Sequence, residues 1–350
     1  MFMSEAQVRA INLALQGGGA HGAFTWGVHD RLLEDGRVSF EGISATSAGA
    51  MNAVVYAYGK MRGGVDGARQ ALHDFWQRVS RTSAQYSPLS LTPLERMLGI
   101  KPEQSASYMA FESLTRSFSP YQLNPLNINP LRDVLTACVD FAELKRCQCS
   151  KLFLSATNIR SGNVRVFRNE ELSIEAVLAS ACLPSLFQAI EIDGAFYWDG
   201  GYMGNPSLFP LFYNTDSRDV VVVHINPIFN PDIPRSASEI ADRVNEITFN
   251  SALLKEFRAV AFVTKLIEDG WIKDEYRARL RHMLIHSIRA DDALNALGAA
   301  SKFNTEWRFL TDLRDRGRAT AEQWLAENYI HLGKRATVDL AEEYLNPRNA

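Results

Sequence analysis

Residues 10–22 read Ala-Ile-Asn-Leu-Ala-Leu-Gln-Gly-Gly-Gly-Ala-His-Gly, and this stretch decides the fold. Ala10 to Leu15 is a short apolar run suited to a buried strand. Gly17, Gly18, Gly19 and Gly22 follow at once, and an apolar helical pattern then continues through Leu33 to a stop near Gly36. Strand, glycine loop and helix in this order open an α/β unit. Without Cβ atoms the loop can turn backbone N–H groups toward a ligand, and the helix N-terminus adds a partial positive charge. A phosphate or a developing oxyanion would suit such a site. No Gly-Lys-Ser/Thr follows at phosphate-loop spacing. Gly17, Gly19 and Gly22 have the spacing of the dinucleotide fingerprint. The next strand, however, ends at Ala45-Thr46 without the acidic residue that would hold a ribose. A nucleotide site and a plain tight turn stand as alternatives to an oxyanion site.

The second unit repeats the plan. Phe40 to Ala45 reads as a strand, and Ser47 opens a helix over 48–58. In Ala45-Thr46-Ser47-Ala48-Gly49 the serine sits between strand and helix, with small residues two before and two after it. A nucleophile elbow requires this, because the turn is sharp; Gly49 meets the requirement fully, and Ala45 stands where glycine is usual. The helix dipole would favour an alkoxide-like state. An ordinary N-cap serine is the competing reading. Asp199-Gly200-Gly201 follows a hairpin through Asp193-Gly194, where a turn aspartate is the commoner fate of Asp-Gly. Further strands are expected over 151–158, 164–168 and 220–226, and a helix over 68–79 after a break at Gly59 to Gly67. Strands alternating with helices predict a mostly parallel sheet covered on both faces.

Two regions depart from this core. Residues 80–130 are rich in Ser, Pro and Asn, too long for an ordinary connection, and are expected to form a loop and helix insertion or lid. Ser236 to Asp269 spaces Ile240, Val244, Ile247, Leu254, Phe257 and Ala261 as an amphipathic helix does, expected to pack on the core, with a partner or membrane helix as the alternative. Arg277, Arg279, Arg281 and His282 read as a solvated face or strand edge, with a phospholipid contact as the alternative, and 338–345 as a short closing helix. The chain thus divides into a catalytic domain over 1–235 and a mainly helical extension over 236–350 packed on it.

Composition narrows the function. With 350 residues, 46% hydrophobic, and a net charge of -3, the chain has ample apolar material for a core and no electrostatic footprint for nucleic acid. No apolar run approaches the roughly 18 residues of a membrane span, and residues 1–10 do not read as a secretory signal. A cytoplasmic protein is expected, touching a membrane at most peripherally, at its inner surface. Cys138, Cys147, Cys149 and Cys182 are expected as free thiols, and Cys182 as a small buried hydrophobe. Cys147-Gln148-Cys149 has no second pair to complete a metal site. No metal or cofactor is expected.

Taken in order, the glycine loop, the elbow serine and Asp-Gly-Gly resemble the patatin-like phospholipase family over about two thirds of the chain, Ile11 to Asn226. Ala179-Ser180-Ala181-Cys182-Leu183-Pro184 and Gly204-Asn205-Pro206 support the likeness. The resemblance implies a three-layer α/β fold and a Ser–Asp dyad without histidine. Ser47 would be the nucleophile and Asp199 the base. Gly17, Gly18, Gly19 and Gly22 would form the oxyanion hole, and Ala45, Gly49, Gly200 and Gly201 would shape the turns. It implies hydrolysis of lipid acyl esters of the phospholipase or lysophospholipase type. Thioesters and storage polyesters would need the same machinery, and a catalytically silent lipid-binding regulator is a further alternative. His21 stands where the family usually has Arg or Lys, which takes a fixed charge out of the loop, since an ordinary His is mostly neutral at pH 7. A Ser-His-Asp triad would draw on His224, whose position after the acid fits that order. A lipid surface would be met by Tyr86, Leu89, Leu91, Tyr108, Phe118 and Tyr121.

Overall fold

Strand β1 (Arg9–Leu15) shows how the sequence builds the core. Side chains alternate across a strand, so Ile11, Leu13 and Leu15 enter one apolar cluster and Ala14 enters another. Strand β7 (Asp219–Val223) divides likewise, with Val221 and Val223 on the first side and Val220 and Val222 on the second. A sheet apolar on both faces must be covered on both. In the computed structural model, which describes residues 8–83, 105–230, 232–277, 280–289, 291, 294 and 297–345, helices do this and give three layers. Helices α1 (Gly22–Asp35) and α2 (Ala48–Ser83) cover the first face, and the helix Ala237–Glu268 covers the second through Leu253 and Phe257.

The remaining strands are β2 (Val38–Ala45), β3 (Lys151–Asn158), β4 (Val164–Arg168), β5 (Ile190–Ile192), β6 (Ala195–Asp199) and β8 (Leu284–Ile288). Their order is β5-β6-β3-β2-β1-β7-β8, with β4 paired to β3. Strands β3, β2, β1, β7 and β8 run parallel; β4, β5 and β6 are antiparallel to their neighbours.

Several expectations change. Strand β8 lies in the stretch read as mainly helical, so the main sheet continues past residue 235. His286 masks it in the sequence: the imidazole is buried in mid-strand because Nε2 meets Asp219 Oδ1 at 3.0 Å and Nδ1 meets Thr337 Oγ1 at 2.9 Å. The break at Gly59 to Gly67 contracts to non-helical dihedrals at Gly63 and Gly64, where the chain reverses and packs Gly67 onto Gly59. Cys147 and Cys149, expected as thiols, are paired as a disulfide, their Cα atoms 5.6 Å apart and within bridging reach. In the 80–130 insertion, helices span Ala106–Ser117 and Pro120–Leu123. Tyr86, Leu89 and Leu91 lie outside the described residues.

The C-terminal helix Trp307–Asn328 crosses α1 with backbone against backbone. A Cβ on Gly27 would run into the Arg314 carbonyl, and one on Gly317 into the Phe24 carbonyl. Neither helix can retreat without opening the core beside it. Gly317→Val is therefore expected to cost about 1–3 kcal/mol through overpacking. The readout is a lower urea midpoint with an unchanged m-value; an unchanged midpoint would mean the crossing yields freely.

Candidate active site

Strand register brings the elbow serine and the aspartate together. Leu154 of β3 faces Ala45 on one edge and Phe167 on the other. Two residues on, Ala156 faces Asp199 on the first edge and Arg165 on the second. Strands β2 and β6 therefore lie end to end along one edge of β3. Asp199 closes β6 just beyond the point where β2 gives way to Ser47.

Ser47 has φ +54, a left-handed conformation uncommon outside glycine. An N-cap serine takes extended backbone, so the elbow reading fits and the N-cap reading does not. Neighbours hold the strained turn. The Ser47 N–H donates to Ser180 Oγ at 2.9 Å, and Thr46 Oγ1 donates to the Gly204 carbonyl at 2.5 Å. Ala45 is fully buried, and a Cβ on Gly49 would stand 2.5 Å from the Leu15 carbonyl.

Asp199 is 1% exposed. Its N–H donates to the Cys182 carbonyl at 2.8 Å, and its own carbonyl accepts from Thr157 Oγ1 at 2.8 Å. Oδ1 accepts the Gly201 N–H at 2.7 Å. Burial pushes the carboxyl pKa up to about 7, against the pull of the Gly201 N–H and the Ser47 hydroxyl. Oδ2 is buried without a hydrogen bond of ordinary geometry. The Ser47 hydroxyl thus acts on the carboxyl without a hydrogen bond of ordinary geometry to Oδ2. Gly200 packs on the Ser155 carbonyl, and Gly201 on the Phe249 ring. Burial also raises the Cys182 pKa to about 12, leaving an inert buried thiol.

The loop glycines divide by role. The Gly17 N–H is committed to Asn205 Oδ1 at 2.6 Å, and a Cβ on Gly17 would stand 2.6 Å from Ser47 Cβ. The Gly22 N–H donates to the carbonyls of Gly19 and Ala20, and Gly22 lets Ala48 approach. Neither offers the free donor expected of it; both glycines serve close packing. Among the described residues the N–H groups of Gly18 and Gly19 have no acceptor. Gly19 takes φ +58.

His21 is buried, with Nε2 at 2.7 Å from Ser301 Oγ, and burial followed by the nearby Lys302 charge lowers its pKa to about 3. The loop itself therefore carries no charge at neutral pH. His224 does not reach the dyad. Its ring stacks on Tyr344, Nε2 lies 3.2 Å from the Tyr344 hydroxyl and 3.4 Å from Ser287 Oγ, and burial lowers its pKa to about 3. The triad reading fails because β7 delivers His224 into the packing of the C-terminal segment. Among the described residues no group of three or more His, Cys, Asp or Glu side chains converges as a metal site.

Ser180 and Asn205 were visible in the sequence only as parts of two supporting segments. Their direct bonds to Ser47 and Gly17 span 133 and 188 residues of chain. Their signal is a polar residue in an otherwise small, apolar setting.

The family model described as Patatin-like phospholipase matches residues 13–212. No match is found among curated proteins. VipD from Legionella pneumophila is similar at a TM-score of 0.35 and 15% identity, over 90% of this chain and 67% of that one. The ExoU–SpcU complex from the type III secretion system of Pseudomonas aeruginosa is similar at 0.34 and 16%, over 92% and 76%.

Proposed function

The chain belongs to the patatin-like phospholipase family, a family of lipid acyl hydrolases, and from that premise we propose that Ser47 and Asp199 are its catalytic dyad. The observation that carries this reading is the buried Asp199 carboxyl at the end of β6. One of its oxygens is without a partner, and the Ser47 hydroxyl is among the groups acting on it. The Asp199 carboxylate accepts the Ser47 proton, and Ser47 Oγ attacks the ester carbonyl. The N–H groups of Gly18 and Gly19 receive the tetrahedral oxyanion, each such donor typically lowering the barrier by about 3–4 kcal/mol. The alcohol leaves with the proton, and water then releases the acyl group from Ser47.

A carboxylate of ordinary pKa is a weak base for a serine hydroxyl. Burial brings Asp199 to about 7, near the operating pH where a general base is most effective. The substrate class is a lipid carboxylic ester, and the reaction is that of a serine carboxylic ester hydrolase. Among the described residues no helix is long and apolar enough to cross a membrane. Phe118 and Tyr121, both exposed, fit a peripheral contact at the inner face of a cytoplasmic membrane.

The test is labelling with a fluorophosphonate. A single adduct on Ser47, found by peptide mapping and absent from Ser47→Ala, is expected. Folded wild-type protein that stays unlabelled would favour a silent binding protein. Turnover of phospholipids, lysophospholipids and neutral glycerides by the labelled and unlabelled enzyme then ranks the substrates.

A further inference from the structure

The segment Ala299–Phe303, far outside the catalytic motifs, closes directly on the glycine loop. A Cβ on Gly19 would strike the backbone carbonyl of Lys302. The Lys302 side chain then reaches behind the loop, where Nζ donates to Asn226 Oδ1 at 2.9 Å. An ammonium can only donate, so this bond sets which way the Asn226 amide faces. Its oxygen turns to Lys302 and its NH2 turns to the loop. Nδ2 donates to the Gly17 carbonyl at 2.6 Å and to Gln16 Oε1 at 3.4 Å. Gln16 Oε1 also accepts the N–H groups of Ile225 and Asn226, both at 3.0 Å.

The consequence lies in one peptide plane. In a trans peptide the C=O of Gly17 and the N–H of Gly18 point in opposite directions. Asn226 holds the carbonyl, so it also aims the Gly18 N–H away from itself. Asn205 holds the Gly17 N–H from the other side. Gly17 is thereby pinned at both ends, and the next N–H has one direction left.

Charge supports the same arrangement. His21 is neutral, so the loop has no cation of its own. Lys302 is the basic side chain behind it. Burial lowers the lysine pKa, while Glu246 and Asp242 on the helix Ala237–Glu268 act to raise it. In its protonated form Lys302 sets a positive charge behind oriented N–H dipoles, which favours the oxyanion over the neutral carbonyl.

We propose that Lys302 is a positioning residue of the oxyanion loop: through Asn226 it fixes the Gly17–Gly18 peptide so that the Gly18 N–H meets the tetrahedral oxyanion. The last third of the chain then takes part in catalysis rather than only packing on it. The inference rests on the Ser47–Asp199 reading.

The test is steady-state hydrolysis of a soluble p-nitrophenyl acyl ester by wild type, Lys302→Met, Asn226→Asp and Ser47→Ala. Methionine keeps the length and loses the donor. Lys302→Met is expected to lower kcat by about tenfold or more, short of the roughly 10²–10³-fold loss that follows removal of an oxyanion donor itself. KM should stay within about twofold, because the interaction forms in the transition state. The rate of fluorophosphonate labelling of Ser47 should fall in parallel. Asn226→Asp keeps the Lys302 contact but sets an acceptor against the Gly17 carbonyl, so it should lower kcat in the same way even if Lys302→Met does not fold. Normal kcat in either folded variant, or a raised KM with normal kcat, overturns the inference. Full hydrolysis by Ser47→Ala would remove the dyad and this inference with it. An inactive Ser47→Ala beside a fully active Lys302→Met would remove this inference alone.

Discussion

Ser47→Ala is expected to abolish hydrolysis of lipid esters, with kcat down by about 10⁴–10⁶-fold, the range for loss of a catalytic serine. The change deletes one oxygen. The elbow is held by backbone and neighbouring groups that alanine leaves in place: the Ser47 N–H to Ser180 Oγ, the Thr46 hydroxyl to the Gly204 carbonyl, and the Gly49 N–H to the Thr46 carbonyl. The far-UV circular dichroism and the urea midpoint should therefore match wild type within error. Comparing released fatty acid from phospholipid, lysophospholipid and neutral glyceride checks the prediction. Undiminished release by the alanine variant would show that another group attacks the ester.

Asp199→Asn is expected to lower kcat by about 10⁴-fold and, unusually for an active-site change in a buried position, to make the protein more stable at alkaline pH. Asparagine keeps an oxygen for the Gly201 N–H but cannot take the serine proton. The pH behaviour follows from the raised pKa. Only the carboxylate is a base, so kcat/KM of wild type should rise with pH through about 7 and then level.

Stability should move the other way. The native carboxyl holds its proton more tightly than the unfolded one, with a pKa of about 7 against 3.8. The native state therefore loses stability as pH rises across that interval, because a charge must be accommodated in a buried site. The full displacement corresponds to about 4 kcal/mol. The asparagine variant escapes this cost. Its stability advantage in urea unfolding should be small at pH 5 and grow toward pH 8. A constant gap would mean that the Asp199 pKa is not raised, and full activity in the variant would mean that Asp199 is not the base.

These expectations rest on residues that the sequence exposes unevenly. The positions of the proposed dyad and glycine loop were legible because their chemistry is local. Triple glycine after an apolar run, small residues around Ser47, and glycines after Asp199 are demands made by the backbone within a few residues. Strands β3 and β4 were legible for the same reason, as apolar runs bounded by the turn at Ser161-Gly162-Asn163. Strand β8 was not, because His286 reads as polar until Asp219 and Thr337 are brought to it. The free donors were not legible either. Four glycines look alike in sequence, and only Asn205 and the first turn of α1 show that the N–H groups of Gly17 and Gly22 are taken.

By itself, then, the sequence determined the order strand, glycine loop, helix, strand, elbow, and it marked Ser47 and Asp199 as the pair to join. It did so because local conformation restricts which residue types a sharp turn accepts. Tertiary structure alone decided that β2 and β6 lie end to end along β3, which sets Asp199 beside the elbow. It also decided that burial tunes that carboxyl, and that Lys302 and Asn226 stand behind Gly17. Those properties come from strand register and from groups meeting across hundreds of residues. Desolvation and hydrogen-bond partnership have no values until the chain has closed around them.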